Sequence, residues 1–178
     1  MRYHNITKED MLNGEGLRSV LWLAGCTHHC KNCQNPITWD INGGIPFDED
    51  AKQELFESLD KDYVITFSGG DPFFPSNREV VGELMQEIHK KYPNKTIWCY
   101  TGYTFEQIQD LPYLKYVDVL VDGPFIPALR ELKLKWKGSS NQRVILVKET
   151  LKTGKMVVRD DNDNPKVLNE WKSCSCGQ

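Results

Sequence analysis

Arg18-Ser19-Val20-Leu21-Trp22-Leu23-Ala24-Gly25-Cys26 carries an almost unbroken apolar run straight into a cysteine. A run of that kind reads as a strand buried on both faces, as the central strands of parallel sheets are. Gly25 ends it, and the loop from Gly25 to Pro46 holds Cys26, Cys30 and Cys33 together with the pair Gly43-Gly44. Downstream, Asp48 to Leu59 predicts a helix with acidic residues in its first turn. Tyr63 to Phe67 predicts the next strand, closed by Ser68-Gly69-Gly70-Asp71-Pro72. A second helix follows, with Val80, Val81, Leu84, Met85 and Ile88 on one stripe, and it returns to Tyr92. Thr96 to Tyr100, Tyr116 to Val121 and Arg143 to Val147 read as further strands, with a weak helix at Phe105 to Leu111 and an irregular stretch before the last of them. Strands alternating with helical periods predict an α/β fold with a mainly parallel sheet. After Glu149 the character changes. Residues 1–150 therefore read as one functional domain and 151–178 as an appendage, with a hairpin at Lys155 to Arg159, a polar turn at 160–164, and a tail holding Cys174 and Cys176.

The chain has 178 residues, 39% of them hydrophobic and 26% charged, with a formal net charge of −3. That balance belongs to a globular protein and excludes disordered and fibrous classes. Its slight acidity offers no electrostatic attraction for nucleic acid. No apolar run approaches the roughly 18 residues of a membrane span, so a soluble, cytoplasmic protein without a membrane partner is expected. Six cysteines are too sparse for a disulfide scaffold, and three of them fall within positions 26–33, which points to metal.

Cys26, Cys30 and Cys33 lie just past the C-terminal end of the first buried strand, where parallel folds place their chemistry. Three thiolates on one short loop can hold three corners of an iron–sulfur cube and leave its fourth iron open to a ligand. The alternative is a structural zinc site, completed by His28, His29 or a tail cysteine. Otherwise His28 and His29 read as exposed loop residues, and Cys99 as a small buried hydrophobe. Leu132-Lys133-Leu134-Lys135-Trp136-Lys137 alternates apolar and basic residues and reads as an edge strand or exposed ribbon.

The cysteine spacing resembles the cluster loop of the radical S-adenosylmethionine (SAM) enzymes. Within that superfamily the chain resembles the activating proteins of the anaerobic ribonucleoside-triphosphate reductase. The segments that carry this are Asn13 to Arg18, Ala24 to Cys33, Asn35 to Trp39, Ser68 to Pro72, Tyr100 to Tyr103, Val121 to Phe125 and Gly138 to Arg143, in order along residues 1 to about 147. The resemblance implies a partial (β/α) barrel of the radical SAM type, a [4Fe-4S] cluster on Cys26, Cys30 and Cys33, and SAM at the open iron. It implies a 5′-deoxyadenosyl radical that takes the α-hydrogen of a glycine in the large reductase subunit and leaves a glycyl radical there. A low-potential donor such as flavodoxin is implied as the source of the electron.

The same resemblance implies that Gly69, Gly70 and Asp71 receive the SAM ammonium, and that Asn32, Gln34 and Asn35 are polar neighbours of the cluster and SAM. Asn32 departs from the aromatic residue common before the third cysteine. Asp122 matches an acidic position that helps hold a monovalent cation beside SAM in related enzymes, although its acidic neighbour there is replaced by Tyr100; the alternative reading is a cap on the turn at Gly123-Pro124. The resemblance assigns no catalytic side chain beyond the cluster and SAM.

Overall fold

The structure, a computed structural model, describes residues 1–61, 63–160 and 162–170, with side chains described to residue 168. In chain order the strands are β1 (Arg2–Asp10), β2 (Arg18–Leu23), β3 (Ile45–Pro46), β4 (Val64–Gly69), β5 (Ile97–Tyr100), β6 (Val119–Asp122), β7 (Arg143–Leu146), β8 (Lys155–Arg159) and β9 (Pro165–Glu170). The helices are α1 (Glu49–Asp60), α2 (Arg78–Lys91), α3 (Phe105–Ile108) and α4 (Val147–Thr153). The Asp48 side chain starts α1 by accepting from the Ala51 N–H, and Thr104 and Gln107 close a capping box on α3.

All described strands join one sheet in the order β3-β1-β2-β4-β5-β6-β7-β8-β9. Only β2, β4, β5 and β6 run parallel to their neighbours among themselves. The pairings of β1 with β2 and β3, and those from β6 through β9, are antiparallel. The expectation of a partial (β/α) barrel with a mainly parallel sheet is therefore corrected: the sheet is mixed and mostly antiparallel, and the described helices are few. The reason lies in the connections. A parallel return needs a crossover of a dozen or more residues, usually helical, and the stretch between β6 and β7 holds only the short turn Pro127–Leu129. Lacking a crossover helix, the chain comes back antiparallel on β6, and β8 and β9 extend the same sheet as a hairpin.

Strand alternation divides the sheet into two faces. Leu21, Leu23, Ile65, Phe67, Ile97, Cys99, Leu120 and Ile145 form one core with Leu55, Leu59, Leu84, Met85 and Ile88 of α1 and α2. Each such large side chain, fully buried, contributes about 1.5–3 kcal/mol. Cys99 is buried there, as a small hydrophobe. Trp98, Val119, Val121 and Val144 form a second cluster on the other face, with Tyr100, Trp136 and Leu146 against it.

That second face also buries Arg18. Its guanidinium donates to Thr66 Oγ1 at 2.6 Å, to the Glu15 carbonyl at 2.6 Å and to the Thr96 carbonyl at 3.1 Å, and stands 5.2 Å from the Trp98 ring centroid. Burial pulls its pKa down to about 10. Arg18, Thr66 and Trp98 thus form one connected layer on this face. No helix among the described residues is long and apolar enough to cross a membrane.

Candidate functional site

The loops that leave β2, β4, β5 and β6 meet over one cavity of about 360 Å³. Cys26, Cys30 and Cys33 line it from one side; Ser68, Gly69, Gly70 and Asp71 line it from the end of β4, and Tyr100, Thr101 and Gly102 from the end of β5. Phe125, Leu134, Trp136 and Gln142 also line it.

Backbone contacts set the cysteine loop against β4. The Gly70 N–H donates to the Leu23 carbonyl at 2.8 Å and the Asp71 N–H to the Gly25 carbonyl at 2.9 Å. Gly70 permits this approach, because a Cβ there would lie 2.7 Å from the Gly25 oxygen and 2.9 Å from the Leu23 oxygen. Gly69 adopts φ of +85°, a left-handed conformation natural to glycine. On the far side of the loop, Gly25 and Cys26 donate to the carbonyls of Thr38 and Trp39 in the short turn Pro36–Trp39.

The three thiols are partly exposed at the cavity wall. Burial pushes the Cys26 thiol up to about 11, so the thiolate needs a compensating cation nearby. Cys33 Sγ accepts from the Asn35 N–H at 3.4 Å, the kind of contact that tunes a cluster sulfur. Among the described residues no three Cys, His, Asp or Glu side chains are gathered around a point suited to a single metal ion. A cubane sets its ligating sulfurs wider apart than one ion does, and three cysteines facing a common cavity suit that spread. Trp136, also in the lining, keeps its buried indole N–H without a hydrogen-bond partner among the described residues. The donor set thus fits a cluster with a polar ligand beside it.

Not every residue singled out from the sequence faces this cavity. Gln34 and Asn35 line it; Asn32, exposed and left-handed at φ 58°, does not. Asp122 shares the strand face of Leu120, which is the helix-covered side of the sheet. Its carboxylate accepts from the Phe105 N–H at 2.7 Å, at the start of α3, and from Arg143 Nε at 3.0 Å. Asp71 lies at the cavity wall but is 2% exposed. Cys174 and Cys176 lie outside the described residues.

His28 is a correction. Expected in solvent, its side chain is only 18% exposed, and its Nε2 is held 2.8 Å from Asp71 Oδ2. His29 is exposed, as expected. The stretch 132–137 forms no regular strand; an isolated bridge between Arg130 and Ser139 ties its ends, and Trp136 packs edge-on against Trp98 with centroids 5.4 Å apart. Sequence reasoning paired neither His28 nor Thr101 with Asp71; their meeting joins the loops after β2, β4 and β5 and leaves no local pattern.

The 4Fe-4S single cluster domain matches residues 12–145. An anaerobic ribonucleoside-triphosphate reductase-activating protein of Enterobacteria phage T4 is 43% identical over 146 residues, covering 81% of this chain and 93% of the relative. Proteins of the same name from Salmonella typhi and Escherichia coli (strain K12) are 38% and 37% identical over 150 residues, each covering 81% of this chain and 97% of the relative. With residues 12–145 matching the cluster domain and identity extending over nearly the whole length of these relatives, the chain belongs to the family of anaerobic ribonucleoside-triphosphate reductase-activating proteins.

Proposed function

We propose that this protein is an enzyme that activates an anaerobic ribonucleoside-triphosphate reductase by radical SAM chemistry, leaving a glycyl radical on the large reductase subunit. The observation that carries this is the convergence of Cys26, Cys30 and Cys33 with the backbone of Gly69 and Gly70 on one cavity. In this reading Cys26, Cys30 and Cys33 would hold a [4Fe-4S] cluster, and the cavity beside them would receive SAM. When both are bound, they supply a one-electron cleavage of the SAM sulfonium bond that generates a carbon-centred radical able to remove a glycine α-hydrogen.

The chain's own groups bind, orient and shield. Carbonyls at the end of β4 accept from the ammonium, where glycine admits close approach. Gln34 and Asn35 offer amides beside the third cysteine. Phe125, Leu134 and Trp136 form an apolar wall that keeps water and competing hydrogen donors away from the reacting centre. The names of the relatives support the reductase as the partner. A low-potential flavodoxin-type donor and a cytoplasmic setting complete the proposal, and residues 1–150 are assigned the chemistry.

Anaerobic reconstitution with iron and sulfide, followed by reduction and SAM, tests it. The protein is expected to form 5′-deoxyadenosine, and Cys26→Ala, Cys30→Ala and Cys33→Ala are each expected to abolish it. Full cleavage by any of the three variants would overturn the ligand assignment.

A further inference from the structure

Asp71 stands where the resemblance puts an acceptor for the SAM ammonium, yet its carboxylate is already filled. Oδ1 accepts from the Phe73 N–H at 2.9 Å and the Thr101 hydroxyl at 2.9 Å. Oδ2 accepts from the Gly102 N–H at 2.9 Å, meets the same hydroxyl at 2.8 Å, and pairs with His28 Nε2 at 2.8 Å. A carboxylate offers about four lone-pair sites. These donors occupy them all and come from three places: the turn after β4, the end of β5, and the middle of the cysteine loop.

The histidine is fitted to this arrangement. Its ring lies over Gly102, where a Cβ would come within 2.4 Å of it, and stands edge-on to Tyr103 with centroids 4.5 Å apart. The next residue, His29, has a left-handed backbone at φ 45°, a strained conformation that persists where its surroundings impose it. His28 sits midway between Cys26 and Cys30, so its anchoring fixes the span between the two thiols.

We propose that His28 and Asp71 form a latch that positions the cysteine loop over the ends of β4 and β5, with Asp71 a positioning residue and not an acceptor for the ligand. The role rests on the reading of Cys26, Cys30 and Cys33 as cluster ligands; the latch itself does not. In this arrangement the ammonium is received by backbone carbonyls alone.

The test compares the full-length protein with His28→Ala, His28→Gln, Gly102→Ala, Asp71→Asn and the double variant His28→Ala/Asp71→Asn. Amide hydrogen exchange is measured before reconstitution. After reconstitution, the electron paramagnetic resonance spectrum of the reduced cluster and the SAM dissociation constant are measured. Loss of a hydrogen bond to a charged group predicts about ten- to a hundredfold faster exchange across residues 26–35 and 101–103 in His28→Ala. Gly102→Ala, which displaces the ring without touching the carboxylate, is expected to match it, and His28→Gln to recover part of the protection. The double variant is expected to exchange no faster than the faster single variant. His28→Ala and Asp71→Asn are expected to alter the cluster spectrum alike and to weaken SAM to the same degree. If Asp71→Asn weakens SAM tenfold or more while His28→Ala changes neither exchange nor affinity, the latch is overturned and Asp71 is a ligand acceptor. If no variant, and not the unaltered protein either, assembles a cluster, the cluster reading fails, and the exchange data still decide the latch.

Discussion

Replacing Arg143 with methionine isolates what Asp122 does. Arg143 lies at the start of β7, where it donates through Nε and Nη2 to both Asp122 oxygens and through Nη1 and Nη2 to Glu106 at 3.0 and 2.8 Å. The Asp122 side chain is 1% exposed and that of Arg143 27%. Arg143→Met strips the guanidinium bonds from the buried carboxylate and leaves it the bond from the Phe105 N–H. Breaking such a pair costs about 3–5 kcal/mol, and the partial exposure of Arg143 places the expectation near the lower end. For a chain of this size each kcal/mol moves the melting temperature by about 2–4 °C, so a drop of roughly 6–12 °C follows. Adding Asp122→Asn removes the stranded charge while keeping an acceptor for α3, and should return a substantial part of that loss. Thermal unfolding of the cofactor-free protein, followed by circular dichroism, reads both effects. A drop below about 2 °C, or no recovery in the double variant, would refute the reasoning and reopen a ligand-binding role for Asp122.

Two further outcomes are expected. Gly70→Ala places a methyl group against backbone atoms of Leu23, Ala24 and Gly25, none of which can swing aside, so it should cost about 1–3 kcal/mol and lower the iron retained after reconstitution; wild-type melting and iron content would contradict this. Hydrogen bonds from Arg143 hold the Glu106 carboxyl at about 2, below its ordinary 4.5, so its contribution to stability is complete above pH 4.5 and lost as the pH falls toward 2. Glu106 is half exposed, which keeps that contribution under about 1 kcal/mol; Glu106→Gln should flatten the melting profile over that window, and an unchanged profile would count against the ion pair.

Strand positions in the centre of the sheet were legible in the sequence because burial on both faces writes long apolar runs, as in β2 and β4. Strand direction was not. Val144 and Ile145 of β7 are as buried as any parallel strand, and apolar content carries no sign of polarity. The missing crossover helix between β6 and β7 was the available signal. The N-terminal strand escaped notice for another reason: in β1 only Tyr3 and Ile6 are buried, so nine residues of strand read as polar chain.

At the site, the cysteine spacing and the glycine pair were readable because each is a local pattern. Asp122 could have been placed by parity with Leu120, which turns it toward the helices. The contact of His28 with Asp71 joins residues 43 positions apart and depends on how two loops fold over β5, which no local window contains.

The most direct test of the activating role is electron paramagnetic resonance on the anaerobic ribonucleoside-triphosphate reductase, mixed with the reconstituted, reduced protein and SAM in the absence of oxygen. The proposed function predicts a glycyl-radical signal on the large reductase subunit together with 5′-deoxyadenosine, both lost in Cys30→Ala. 5′-Deoxyadenosine without a radical on that subunit would contradict the assignment of the reductase as substrate, and neither product from a protein with an intact [4Fe-4S] cluster would contradict the chemistry itself.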